Sequence, residues 1–365
     1  MRARAPASGV GAYYPTEGEE HWVAATRTAS PLGRYPGYER FGDWPMTLGG
    51  VAVEVGSADG EVGVGVAHGG PAACFVVEHA LAPLLVGRDA EDVEGLWELM
   101  LLASPAYGTG GLVLSAISGI DLALWDLRGK HAGLPVYELL SPGASPRVEL
   151  YATGPRPDVY ERAGFVGSKV CLPFGPTAGD DGLRANLEYL DGLRGERFLA
   201  VDSFMGLDEE YAHRLLEAVR PLGLRWLEEP FVPWELEPLA GLGDAGTPIA
   251  AGEHHDNFQL ERLVRERLVD IVQPELTWCG GFTPALRLVE PAAAAGMAVV
   301  PHCGGVFAQH FVAASPCSPF AEFVIGPDGV ELVPTFGALL TGEPLPEDGA
   351  VELKGEPGFG ISRVV

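Results

Sequence analysis

From residue 148 onward the chain repeats one pattern: a short apolar run, a polar or charged residue at its end, then a stretch with helical spacing. The runs are VELYA (148–152), GSKVCL (167–172), RFLAVD (197–202), LRWLEE (224–229), PIAAGE (248–253), VDIVQPE (269–275), MAVVPH (297–302) and FAEFVI (320–325). Helical patterns such as Asp208–Arg220 and Leu260–Arg267 lie between them. Apolar runs alternating with helices predict a parallel sheet buried on both faces. Eight such units over roughly 180 residues fit a closed barrel better than an open sheet.

The first 140 residues have a different rhythm. Val51–Val55 (VAVEV) alternates, a Gly-bounded turn follows, and Glu61–Gly65 resumes the alternation, which predicts a hairpin. Helical patterns run near 88–103 and 112–130. Ile117–Leu127 (ISGIDLALWDL) is apolar on more than one face, so it reads as a buried helix. The turn-rich PGASP (142–146) marks a joint between an α+β domain over 1–140 and a barrel over 141–330. The Pro- and Gly-rich segment 331–365 is expected to pack back on the first domain.

Composition narrows the chemistry. Lys and Arg number 24 against 50 Asp and Glu, a formal net charge of −26. No basic cluster is present, which argues against nucleic acid and anionic membranes as partners. An anionic substrate would need a local positive centre, and a bound metal ion can supply one. The five cysteines are widely spaced, with no CxxC pair, and read as reduced thiols of a cytoplasmic protein. The N-terminal stretch lacks an apolar run of signal-peptide length, and no segment reaches membrane-spanning length.

In parallel barrels the active site lies at the C-terminal ends of the strands. The ends here carry Lys169, Asp202, Glu228, Glu253, Glu275, His302 and Glu322. Three carboxylates on successive strands, Asp202, Glu228 and Glu253, would repel one another, and a hard cation relieves that repulsion. All-oxygen ligation suits Mg²⁺, with Mn²⁺ as an alternative. Such a metal can hold a substrate carboxylate and stabilise the enediolate left when the α-proton departs. His302 is the natural base, Glu275 is placed to polarise it, and Glu322 can hydrogen-bond the enediolate if protonated.

These features resemble the enolase superfamily, in its mandelate racemase subgroup, and most closely the L-rhamnonate dehydratases. The resemblance spans nearly the whole chain. It is carried by EEHW (19–22), GGLVLSAISGIDLALWDLRGKHAGLPVYELL (110–140), YATGPRPD (151–158), VDSFM (201–205), WLEEP (226–230), GEHH (252–255), QPELTWCGG (273–281), VPH (300–302) and PFAEF (319–323). It implies an α+β capping domain over a (β/α)7β TIM-type barrel. It also implies Asp202, Glu228 and Glu253 as metal ligands, His302 as base and Glu322 as the acid beside the substrate carboxylate. In WLEEP the first Glu matches the ligand, and Glu229 supports its neighbours. His21 and Arg40 match capping-domain residues that meet a sugar acid, and Lys169 the first lysine of the second-strand motif. His254 reads either as a substrate contact or as a structural hydrogen-bonding partner, and Lys169 either as a substrate contact or as an ion-pair partner of the acids. Homo-oligomers are common among such proteins.

Two departures sharpen the reading. Glu275 stands where the family usually pairs an Asp with the base, moving the carboxylate by roughly 1.5 Å, about one bond length. Cys171 stands where racemases of the subgroup carry a second lysine, which the rhamnonate dehydratases also lack. The expected activity is therefore a one-base, Mg²⁺-dependent dehydration of a sugar acid to a 2-keto-3-deoxy acid, a hydro-lyase reaction. The alternatives are a racemase or epimerase of the same superfamily, and a weakly active metal-binding homologue.

Overall fold

Glycine spacing in one hairpin decides how the N-terminal part is built. The computed structural model describes residues 2–4, 21–43, 49–243 and 246–364; Glu19 and Glu20 of the EEHW tag lie outside them. Strands β1 (Arg2–Arg4), β2 (Gly50–Gly56) and β3 (Val62–His68) form an antiparallel sheet, with Ala52 opposite Val66. The 22-residue helix Gly111–Ala132 lies on this sheet. A Cβ on Gly63 would stand 2.0 Å from the carbonyl oxygen of Ala123, and one on Gly65 2.2 Å from that of Gly119. Only glycine permits so close a helix–sheet approach. The helix is buried over nearly its whole length, as its all-round apolar pattern predicts.

A helical segment over 70–85, with a π turn at Val76–Leu81, precedes the helix Val93–Leu102. It escapes pattern reading because it starts at Gly69 without a side-chain cap and contains Pro71 and Pro83.

The eight apolar runs form parallel strands: β4 (Arg147–Thr153), β5 (Gly167–Cys171), β6 (Phe198–Asp202), β7 (Leu227–Glu228), β8 (Ile249–Ala251), β9 (Ile271–Val272), β10 (Ala298–Val299) and β11 (Ala321–Val324). Their order in the sheet runs β10-β9-β8-β7-β6-β5-β4-β11. The last strand thus returns beside the first, with Glu322 opposite Tyr151, and Val299 N–H reaches across the seam to the carbonyl of Cys317. This is the TIM-type (β/α)7β barrel with an N-terminal cap. Its lower interior is aromatic: Tyr151, Trp226 and Phe320 pack with ring centroids 5.3–6.1 Å apart.

The C-terminal segment contributes β12 (Leu340–Thr341), β13 (Ala350–Glu352) and β14 (Ser362–Arg363); β13 pairs antiparallel with β4. Asp126 of the long helix accepts hydrogen bonds from Val64 N–H and Phe359 N–H, both at 2.8 Å. Arg363 meets Glu54 of β2 at 2.9 Å. Among the described residues no helix is long and apolar enough to cross a membrane.

Candidate active site

Each strand end delivers one side chain to the barrel mouth because the strand periodicity terminates there with the residue facing inward. Asp202 ends β6, Glu228 ends β7, and Glu253 follows β8 by two residues. One oxygen of each lies within 4.8 Å of the others, and all three residues are buried. Burial and the Glu228 carboxylate raise Asp202 well above the usual carboxylate range, against the pull of Lys169. Burial also raises Glu253, to about 7, although His302 and His254 oppose it. Glu253 Oε2 accepts no hydrogen bond. Three converging oxygen donors, held against their own repulsion, fit a hard divalent cation. A second grouping, Glu229, Glu253 and His254, is also close enough to hold an ion. There, however, Glu229 is already engaged by His254 Nδ1 at 2.8 Å and by its backbone N–H at 3.2 Å.

Lys169 is buried on β5 between two carboxylates. Its Nζ contacts Glu228 Oε1 directly and stands 3.0 Å from Glu322 Oε1. The other oxygen of Glu228 accepts from Trp226 Nε1 and Gln273 Nε2, both at 2.8 Å. Glu322 accepts from the Thr153 hydroxyl and, at 2.8 Å, from Cys303 N–H. Burial would raise Glu322, but Lys169 and His302 hold it down to about 2. Glu322 is therefore a carboxylate acceptor here, and hydrogen-bond donation to an enediolate requires it first to gain a proton.

His302 Nδ1 lies 3.1 Å from Glu275 Oε2, and Nε2 lies 3.4 Å from Glu253 Oε2. The imidazole stacks at 6.2 Å on Trp278. Burial would lower its pKa, but Glu253, Glu322 and Glu275 outweigh this and push it up to about 10. The longer side chain of Glu275 reaches His302 Nδ1. Its second oxygen turns back to accept from Thr277 N–H at 2.8 Å and from the Thr277 hydroxyl at 2.6 Å.

A cavity of about 120 Å³ joins these groups. The barrel lines it with Lys169, Cys171, Asp202, Glu253, His302 and Glu322, and the cap with His21, Trp22, Phe41 and His68. His21 is buried, caps the helix Trp22–Ala25, and burial lowers its pKa to about 4. Burial pushes the Cys171 thiol up to about 12. His254 packs against Phe204 and Trp278, which line the cavity, at ring distances of 5.5 and 5.7 Å, and its Nε2 lies 3.8 Å from Glu253 Oε1. Burial would lower it, but Glu229 raises it to about 9. Arg40 is not brought to the cavity: its backbone bridges Arg27 and binds Asp43, and its side chain is exposed. Pattern reading missed His68, the last residue of β3, because a hairpin terminus carries no sign of which cavity it faces.

Strained backbone marks the same rim. Phe204, Glu229 and Cys303 hold φ of 44°, 42° and 39°, each one or two residues beyond a strand-end group. Such conformations persist where surrounding hydrogen bonds over-determine them.

The chain matches two family models: "Mandelate racemase / muconate lactonizing enzyme, N-terminal domain" over 47–141 and "Enolase C-terminal domain-like" over 173–363. A Caldivirga maquilingensis protein, provisionally named an L-rhamnonate dehydratase, is 43% identical over 97% of this chain and 91% of its own length. The L-rhamnonate dehydratase of Saccharopolyspora erythraea is 41% identical over 97% of this chain and 93% of its own. The crystal structure of rhamnonate dehydratase from Gibberella zeae complexed with Mg is 35% identical, with a TM-score of 0.94, covering 100% of this chain and 93% of that one. The chain therefore belongs to the mandelate racemase/muconate lactonizing enzyme family of the enolase superfamily.

Proposed function

We propose that the protein is a Mg²⁺-dependent sugar-acid dehydratase of the L-rhamnonate dehydratase type, a hydro-lyase that forms a 2-keto-3-deoxy acid. The observation that carries this reading is the His302–Glu275 pair, 3.1 Å apart, at the edge of the Asp202–Glu228–Glu253 cluster. The relatives named above support the substrate class.

Asp202, Glu228 and Glu253 are the residues that would hold Mg²⁺, which when bound supplies Lewis-acid stabilisation of negative charge on the substrate carboxylate. In its neutral form His302 takes the C2 proton on Nε2 while Glu275 holds Nδ1, setting the tautomer. His302 then returns that proton to the departing C3 hydroxyl, which leaves as water. The resulting enol tautomerises to the ketone. Lys169 compensates the charge of Glu228 and Glu322, and its ammonium faces the cavity that would receive the acid. His21 and His254 are read as substrate contacts from the cap and the rim, and Arg40 as a contact that needs the cap to rearrange. Cys171, a high-pKa thiol on β5, leaves His302 as the one base, which supports elimination over two-base racemisation or epimerisation.

The wider reading is a cap over 1–140, a barrel over 141–330 and a segment 331–365 that packs on the cap. The contacts of Asp126 with Phe359 and of Glu54 with Arg363 support that division. Work as a cytoplasmic homo-oligomer, without nucleic acid or membrane, belongs to the same reading. The charge of −26 supports the absence of nucleic acid. The exposed Phe75, Leu102 and Tyr107 of the cap support self-association.

The test is incubation with Mg²⁺ and a panel of sugar acids that includes L-rhamnonate, with detection of 2-keto-3-deoxy product. Turnover of no member would overturn the proposal. Solvent deuterium entering C2 with inversion and no loss of water would establish the epimerase instead.

A further inference from the structure

The long cap helix buries three polar side chains at a spacing of three, Ser115, Ser118 and Asp121, on an otherwise apolar surface. Ser115 and Ser118 meet the turn that follows β9, and Asp121 meets the first turn of the helix Phe282–Ala295 that continues it. The single Ser115 hydroxyl proton is shared between the carbonyls of His68, at 2.9 Å, and Thr277, at 3.2 Å, while Ser115 Oγ accepts from His68 N–H at 2.8 Å. Ser118 Oγ accepts from Gly280 N–H at 2.8 Å. Asp121 accepts from Thr283 N–H at 2.9 Å and from the Thr283 hydroxyl. The partners are 162 residues apart in every rung. The cap helix thus runs in one register with the turn and the helix start that follows it, 115 to 277, 118 to 280 and 121 to 283. Trp97 and Trp125 close the ladder, donating to Gly280 O at 2.8 Å and to Thr283 Oγ1 at 3.0 Å.

Buried polar groups in an apolar helix are costly unless fully bonded, and bonded networks of this kind fix one arrangement. What this one fixes is Thr277. Thr277 is fully buried and donates both its N–H and its hydroxyl to Glu275 Oε1. With that oxygen tethered, only Oε2 is left to face His302 Nδ1. The tether takes up the reach of a glutamate whose carboxylate would otherwise have an additional rotatable bond.

We propose that Thr277 is a positioning residue for the Glu275–His302 pair, held in register by the Ser115–Ser118–Asp121 ladder of the cap helix. The cap on this view contributes to the barrel's base as well as covering the cavity. The inference rests on the proposed role of His302, and its test has one arm that needs no turnover.

In Mg²⁺-loaded protein with ¹⁵N-labelled histidine, Thr277→Val should shift the His302 Nδ1 signal and its attached proton, and Thr277→Ser should restore them. With a sugar acid that the protein turns over, Thr277→Val should lower kcat about tenfold or more with KM little changed, since a displaced dyad is felt in the chemical step. Thr277→Ser should recover most of the rate. In a Glu275→Gln background Thr277→Val should cost almost nothing further, because its effect passes through Glu275. An unmoved His302 signal, or an equal rate loss in both backgrounds, would overturn the proposal. If Thr277→Val does not fold, Ser115→Ala carries the test by the same signal: a shift supports the ladder and no shift overturns it. Absence of turnover on every sugar acid would defeat the functional reading alone, leaving the NMR arm to decide the geometry.

Discussion

His302 Nδ1 and Glu275 Oε2 stand 3.1 Å apart, although Glu275 occupies a position where the shorter aspartate is usual in this family. The reach is made because the other oxygen of Glu275 is bound by Thr277. Shortening the side chain by one methylene retracts the carboxylate by roughly 1.5 Å. Glu275→Asp is therefore expected to lower kcat, by up to about a hundredfold. Steady-state kinetics on the substrate found in the panel check this. A strong rise in activity would instead mean that Glu275 compromises the pair and that the wild-type protein is a weakened homologue.

His302→Asn keeps a polar side chain of similar size and removes the proton acceptor. Loss of general-base function is worth about 10²–10⁴ in rate, and Cys171 stands where a second lysine would otherwise replace it. The variant should lose turnover and C2 exchange together, read by product formation and by proton NMR in D₂O. Persistent C2 exchange in His302→Asn would show that another group takes the proton.

Removal of metal should abolish turnover reversibly. Treatment with a chelator followed by dialysis is expected to leave no dehydration, and added Mg²⁺ or Mn²⁺ to restore it. A ligand that binds only the folded state raises its stability with concentration, so Mg²⁺ should also raise Tm. In Asp202→Asn and Glu253→Gln that rise should be lost or much reduced, which thermal denaturation with and without Mg²⁺ measures directly.

Lys169 holds together Glu228 and Glu322, neither of which is exposed. Lys169→Met keeps the volume and leaves two buried carboxylates without their cation. Breaking a buried ion pair on one side costs about 3–5 kcal/mol. A large fall in the denaturation midpoint is the expected result, read by urea unfolding. A variant as stable as wild type would show that water or rearrangement satisfies the acids.

Asp121 makes one part of the stability pH-dependent. Burial raises its pKa from 3.8 to about 7, against the hydrogen bonds from Thr283. The folded state then holds a proton that the unfolded chain has already released between about pH 4 and 7. Stability is favoured by this group below that window. It falls as pH rises through the window, by roughly 1.4 kcal/mol at most for each pH unit crossed. Asp121→Asn cannot titrate and should flatten that decline. Denaturation curves of the two proteins, subtracted across pH 4–8, isolate the effect. A parallel pair of profiles would refute it.

The chain itself determines the barrel and its ring of strand-end acids. Each apolar run is long enough to cross the barrel wall, and a charged residue can end it only where the wall opens to the mouth. Asp202, Glu228, Glu253, Glu275, His302 and Glu322 were legible for that reason. The local pattern also marks the hairpin and the buried helix of the cap. Tertiary structure alone decides what these groups touch. Lys169 is a candidate substrate contact by position, yet its geometry binds it to Glu228 and Glu322. His254 follows a metal-ligand candidate, and its Nδ1 is bound by Glu229, while Arg40 is exposed. His68, Thr277 and the helix residues Ser115, Ser118 and Asp121 carry no local signal. The partners of the three helix residues lie 162 residues along the chain, and only closure of the cap on the barrel brings donor to acceptor. Periodicity reports which way a side chain faces, whereas a hydrogen bond across domains depends on how two faces are docked.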